Sequence, residues 1–179
     1  ATSEVEVYRR MTAIIIPRPI AVVSTVDIHG KPNLAPFSFY TVVSSNPPHI
    51  AFSPHLSGRT GEKKDTLRNI EATGEFVIAT ATEFLAEKVN ACAAPLPYGD
   101  SEFSHSGLTP EPAETVAPHL VKESPINLEC KLVEIRAYGD QGAAGHLVVG
   151  SVSRLHIDVA LIDEEGHVRP DVLQAVGRI

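Results

Sequence analysis

The sequence predicts a mainly β, barrel-like domain, and three observations predict it. Runs of β-branched and apolar residues recur at short intervals, separated by Gly- and Pro-containing turns. Only two windows carry helix caps together with an apolar stripe of helical spacing. The chain has 179 residues, 43% hydrophobic and 21% charged, which is the size and composition of one globular domain spanning residues 1–179.

The elements follow in order. The first eight residues are acidic and polar, and Ile14, Ile15 and Ile16 form a short apolar run ended by Pro17-Arg18-Pro19. Residues 20–26 are β-branched and apolar and read as a strand. Residues 27–31 form a hairpin loop, with Gly30 free to take positive φ. Residues 34–43 read as the return strand, with Pro36 placing a bulge or an edge near its start. Asn46-Pro47-Pro48 is a turn and residues 49–53 a short strand. Three strands so close in sequence imply an antiparallel meander. Asp65–Thr73 reads as a helix, capped by Asp65 or Thr66 and ended by Gly74, with Leu67 and Ile70 as its buried face. Residues 75–81 form another strand. Thr82 can cap a second helix that carries Leu85, Val89 and Cys92 on one face. Residues 93–118 hold five of the 14 prolines and read as a long irregular excursion, of the kind that serves as a lid or functional loop. Ile126–Tyr138 and residues 146–157 are two long strands joined by a Gly-rich turn. The sum is roughly six or seven strands with two short helices.

Composition excludes several functions. Lys and Arg total 15 against 22 Asp and Glu, for a net charge of −7, which disfavours nucleic acid as a partner. The two cysteines, Cys92 and Cys130, form no Cys-x-x-Cys pair, so neither a cysteine-rich zinc site nor a disulfide framework is encoded. Of the alternatives left, a bridge or two buried thiols, the thiols suit a cytoplasmic protein better. No run approaches the roughly 18 apolar residues of a membrane span, the start is unlike a signal peptide, and Asn-x-Ser/Thr is absent. A cytoplasmic location is expected. The sequence holds no P-loop, no G-x-G-x-x-G before a helix, no G-x-S-x-G elbow and no H-E-x-x-H. The histidines are scattered, no metal is encoded locally, and His29, His156 and His167 read as surface residues. An enzyme built from this chain therefore leans on an organic cofactor.

Three segments carry chemistry. Residues 57–67, S-G-R-T-G-E-K-K-D-T-L, run into a helix start, where backbone N–H groups and the helix dipole meet an anion. Arg59 and Lys64 add charge, and Thr66 and Ser53 add hydroxyls, as for a phosphate group. The plain alternative is a solvated helix cap, and spacing alone favours it. Residues 33–40, N-L-A-P-F-S-F-Y, place Asn33, Ala35, Pro36, Phe37 and Ser38 on a strand against which a flat heteroaromatic can lie. An amphipathic strand with its aromatics in the core is the alternative, and the segment alone favours that. Residues 98–109 are either an acidic loop or a lid.

In order and spacing, these segments resemble the flavin reductase-like, FMN-binding split-barrel family. The matching pieces are R-P-I-A-V-V-S-T (18–25), a hairpin with Gly30, N-L-A-P-F-S-F-Y (33–40), N-P-P-H-I-A-F-S (46–53), K-D-T-L-R-N-I (64–70), T-G-E-F-V-I (73–78) and D-S-E-F…G-L-T (100–109). Together they cover roughly residues 12–160. With the ordered set in view, ligand binding becomes the favoured role of both 57–67 and 33–40. The resemblance implies a Greek-key-like split β-barrel that forms a homodimer, with FMN in a cleft at the subunit interface. Residues 33–38 would lie along the isoalloxazine and ribityl chain. Ser53, Arg59, Lys64 and Thr66 would surround the phosphate, and Asp65 would cap the helix or orient Lys64. Residues 100–109 would cover the cofactor or reach it from the partner subunit. With no tryptophan, stacking on the flavin falls to Phe37, Phe39, Tyr40, Tyr98 or Phe103. Relatives usually continue past such an ending at Ile179, so a short further tail is implied. The implied activity is NAD(P)H:flavin reductase, in which NAD(P)H is a transient substrate passing hydride to flavin N5. The alternatives are an electron-transfer flavoprotein with tightly bound FMN and a redox partner protein, or a non-catalytic flavin-binding module.

Overall fold

The computed structural model describes residues 3–97 and 100–179. The elements are α1 (Glu4–Ile14), β1 (Arg18–Pro19), β2 (Ala21–Val26), β3 (Pro32–Phe37), β4 (Tyr40–Ser45), β5 (Pro48–Phe52), α2 (Asp65–Thr73), β6 (Glu75–Thr80), α3 (Ala86–Ala91), α4 (Glu102–Ser106), β7 (Pro110–Glu111), β8 (Leu120–Val121), β9 (Ile126–Tyr138), β10 (Gly145–Ile157), α5 (Pro170–Leu173) and β11 (Gly177–Arg178). A 3₁₀ turn, Glu83–Leu85, precedes α3, and another, Val159–Leu161, follows β10. No described helix is long and apolar enough to cross a membrane.

Seven strands form one antiparallel sheet in the order β3-β2-β6-β9-β10-β5-β4. The β2–β3 hairpin turns through Gly30 at φ 80°, with the Asp27 carboxylate accepting the N–H groups of His29 and Lys31. The predicted meander is corrected here. The apolar run 34–43 is two strands, broken at Ser38-Phe39, because the chain leaves β2 after β3 and crosses to the far edge to pair β4 with β5. Both halves are strand formers, so nothing local marks the break. Pro36 lies on an edge strand, as its missing N–H requires.

Two apolar layers lie on opposite faces of the sheet. Val23, Phe37, Phe52, Leu67, Ile70, Phe76, Ile78 and Val148 pack on one face beneath α2. Val22, Leu34, Ala79, Leu85, Val89, Cys92, Phe103 and Leu108 pack on the other beneath α3 and α4. The period-2 alternation of β2, β3 and β6 feeds both layers, which is why β2 is buried at every position. At Gly150 a Cβ would come within 2.3 Å of Phe76 Cζ, so only glycine lets β10 pass that ring.

The structure adds a helix that the sequence pattern does not predict. In α1, Ser3 Oγ accepts the N–H of Glu6, and Arg10 pairs with Glu6 one turn earlier. No residue of α1 is buried, so its apolar spacing carried little signal. The predicted excursion 93–118 also holds regular structure, in α4 and β7. Cys92 and Cys130 are free, buried thiols, and burial pushes the Cys130 thiol up to about 12.

Candidate functional site

A buried polar knot brings the start of α2 against β3. Thr25 Oγ1 accepts amide N–H bonds from Asn33, at 3.3 Å, and Asn69, at 3.0 Å. Asn33 Nδ2 also donates to Thr66 Oγ1, at 3.0 Å. Each of these four side chains is buried, and together they tie β2, β3 and α2 into one corner. Buried polar groups that find partners in this way fix geometry as well as stability.

That corner forms one wall of a cleft of about 850 Å3. Eight predicted residues line it: Asn33, Ala35, Pro36, Phe37, Ser38, Lys64, Asp65 and Thr66. Residues of α3, residues 93–96, Glu102 and residues 176–179 also line it. Lys64 is the N-cap of α2, so the N–H groups of Asp65 and Thr66 begin the helix without intrahelical partners. The Lys64 ammonium stands 5.5 Å from the centre of the Phe37 ring, and partial burial lowers its pKa.

Three assignments change. Asp65 does not cap the helix and has no bond to Lys64; it pairs with Arg68, three residues along, at 3.6 Å. Ser53 lies outside the cleft, at the end of β5, where its N–H donates to Phe39 O at 2.9 Å and its side chain abuts Gly145. Arg59 is exposed in the turn after residue 57 and does not line the cleft either.

Sequence reasoning missed Glu102. Its carboxylate accepts the N–H of Leu34 at 2.9 Å, pinning α4 to the outer edge of β3, and it is only 8% exposed. In an antiparallel pair, alternate residues face outward, so the outer edge of β3 carries Pro32, Leu34 and Pro36. Two of these lack an N–H and the third is already bonded, which leaves that edge little to donate to a ligand. The segment 100–109 thus lies on this chain's own β3. Burial raises the pKa of Glu102 and of Asp65, whose partner Arg68 only partly opposes the rise.

The stacking candidates separate. Phe37 lines this cleft, and Phe39 and Tyr40 line a second one. Phe103 is buried in the outer layer, and Tyr98 lies outside the described residues. His156, expected at the surface, is half-buried against Glu129, with 2.6 Å between Nε2 and Oε1. Among the described residues no three metal-ligating side chains cluster.

Residues 11–170 match the flavin reductase like domain. The chain belongs to this family. A Bacillus subtilis protein, YwrF, is 37% identical over 97% of this chain and 85% of its own length. The structure of nitrilotriacetate monooxygenase component B from Bacillus cereus superposes with a TM-score of 0.93 at 35% identity, covering 99% of this chain and 87% of that one. A split barrel domain structure from Shewanella frigidimarina shares the fold, with a TM-score of 0.83 at 21% identity over 100% and 91% of the two chains. The expectation of a mainly β split barrel is met, and membership places the chain among flavin-linked oxidoreductases.

The donor set suits the phosphate of a flavin nucleotide. Two orphan helix N–H groups, the Lys64 ammonium and the Thr66 hydroxyl all belong to the start of α2, the donor types a phosphate takes, and Phe37 lines the same cleft.

Proposed function

We propose that this chain binds FMN in the Asn33–Thr66 cleft and acts as an NAD(P)H:flavin oxidoreductase. The observation that carries the reading is the single corner in which α2 begins, Lys64 stands and the β3 strand of residues 33–38 runs past. Lys64, Thr66 and the first N–H groups of α2 would hold the phosphate. Asn33, Ala35, Pro36, Phe37 and Ser38 would lie along the ribityl chain and ring. Asp65 would stand beside the phosphate without touching it, held off by Arg68. Bound flavin supplies the hydride chemistry that no side chain here can supply. The protein's part is to bind, to orient and, through the apolar walls of α3 and residues 93–96, to keep water from one side of the cleft. NADH or NADPH would be a transient substrate, and a homodimer with a cytoplasmic location is part of the same proposal.

The visible spectrum tests it. Protein loaded with FMN and desalted should keep flavin bands, and these should bleach without oxygen on adding NADH or NADPH. Bands that persist unbleached with both nucleotides would move the reading to electron transfer with a protein donor. Failure of FMN to bind in a titration would overturn the cofactor assignment.

A further inference from the structure

A second cleft, of about 830 Å3, lies on the other side of Ser38 from the first, between α1 and the β9–β10 turn. Its wall is aromatic. Tyr8 stacks on Phe39 with centroids 6.5 Å apart and planes at 28°, and His55 meets Phe39 edge-on at 4.8 Å. Met11 and Ile15 of the α1 segment extend the apolar surface.

Arg18 completes this wall and is only 5% exposed. Its Nε donates to Ser38 Oγ at 3.3 Å, and its Nη1 donates to the carbonyls of Thr12 and Ile15. Its Nη2 has no hydrogen-bond partner among the described residues, yet it is not sealed from solvent. No carboxylate of the described residues pairs with it; Glu4 and Asp140 line the cleft from exposed positions and form no ion pair with it. A guanidinium buried without an acidic partner is costly, and its unpartnered Nη2 can donate a charge-assisted bond to a carboxylate oxygen. Nearby His55 has its pKa lowered by burial first, then by Lys64 and His146, so it brings no competing cation at neutral pH.

We infer that this cleft binds a small aromatic carboxylate, its ring against Phe39 and Tyr8 and its carboxylate on Nη2 of Arg18. The inference does not rest on the flavin reading. Isothermal titration with benzoate, benzamide and acetate tests it, on the protein as purified and on the protein saturated with FMN. Benzoate should bind in both states. Benzamide, the same shape without the charge, should bind about tenfold more weakly or worse. Acetate, which lacks the ring, should be weaker than benzoate. Arg18→Met should abolish the preference for benzoate. Because Arg18 also holds the end of α1, Tyr8→Ala is the second variant; it lies on an exposed helix and should weaken benzoate and benzamide alike. Equal binding of benzoate and benzamide to wild-type protein would overturn the inference. So would displacement of benzoate by FMN, which would give the cleft to the flavin. So would failure of benzoate to bind wild-type protein.

Discussion

Lys64 supplies the flexible positive charge at the start of α2, and its role in phosphate binding is open to direct test. FMN and riboflavin differ only by the phosphate, so Lys64→Ala should weaken FMN by about tenfold or more while leaving riboflavin nearly unchanged. Flavin fluorescence quenching reads both constants, and an equal loss for the two ligands would remove the phosphate assignment. Thr66→Ala is a less clean probe, because Thr66 Oγ1 also accepts from Asn33; Thr66→Ser should restore binding if the hydroxyl is what matters. The lowered pKa of Lys64 gives a second test. An ammonium whose pKa lies below the ordinary 10.5 loses its charge earlier as pH rises. FMN affinity should therefore begin to fall at a pH below that of an ordinary lysine, and Lys64→Ala should flatten the profile. Riboflavin affinity should show no such step.

Among the elements, β9 and β10 carry the best-defined stability predictions. Glu129 on β9 is fully buried and accepts the N–H groups of Glu114 and Thr115, the Thr115 hydroxyl and His156. Burial alone would raise its pKa, but these bonds outweigh burial and hold it down to about 2. A carboxyl with a depressed folded pKa stabilises above its unfolded pKa and loses that contribution as pH falls through the folded one. The drop from 4.5 to about 2 corresponds to roughly 3 kcal/mol, lost between those two pH values. Urea unfolding should show this acid-side decline in wild type and a shallower one in Glu129→Gln. On β10, Gly150→Ala drives a Cβ into the Phe76 ring and should cost about 1–3 kcal/mol by thermal unfolding. These elements also show what the sequence disclosed. Asp65–Thr73 and Ile126–Tyr138 are legible because an apolar stripe, the Gly74 C-cap and β-branched runs act locally, and they match the observed bounds. The break at Ser38-Phe39 was not legible, because it is set by where the chain must travel. Glu102 was hidden for a related reason: its partner, the Leu34 N–H, is 68 residues away. The absence of Ser53 and Arg59 from the cleft is likewise a matter of where loops land.

The whole molecule presents a sheet with two unlike edges. Along β3, prolines and the Glu102 bond leave few groups to pair, which protects an edge from further strand addition. At the other edge, β4 exposes Val42 at 70% and Val43 at 55%. Exposed β-branched residues on an unpaired edge strand are a surface that a soluble monomer usually avoids. This asymmetry supports the homodimer proposal independently of the family and gives it an address. Sedimentation should show a dimer, and Val42→Asp with Val43→Asp should shift it toward monomer with the sheet intact by circular dichroism. If the flavin cleft is completed by the partner, the same double variant should also lose FMN. A stable monomeric wild type that still binds FMN would end the dimer proposal and leave the cleft of a single chain sufficient for the cofactor.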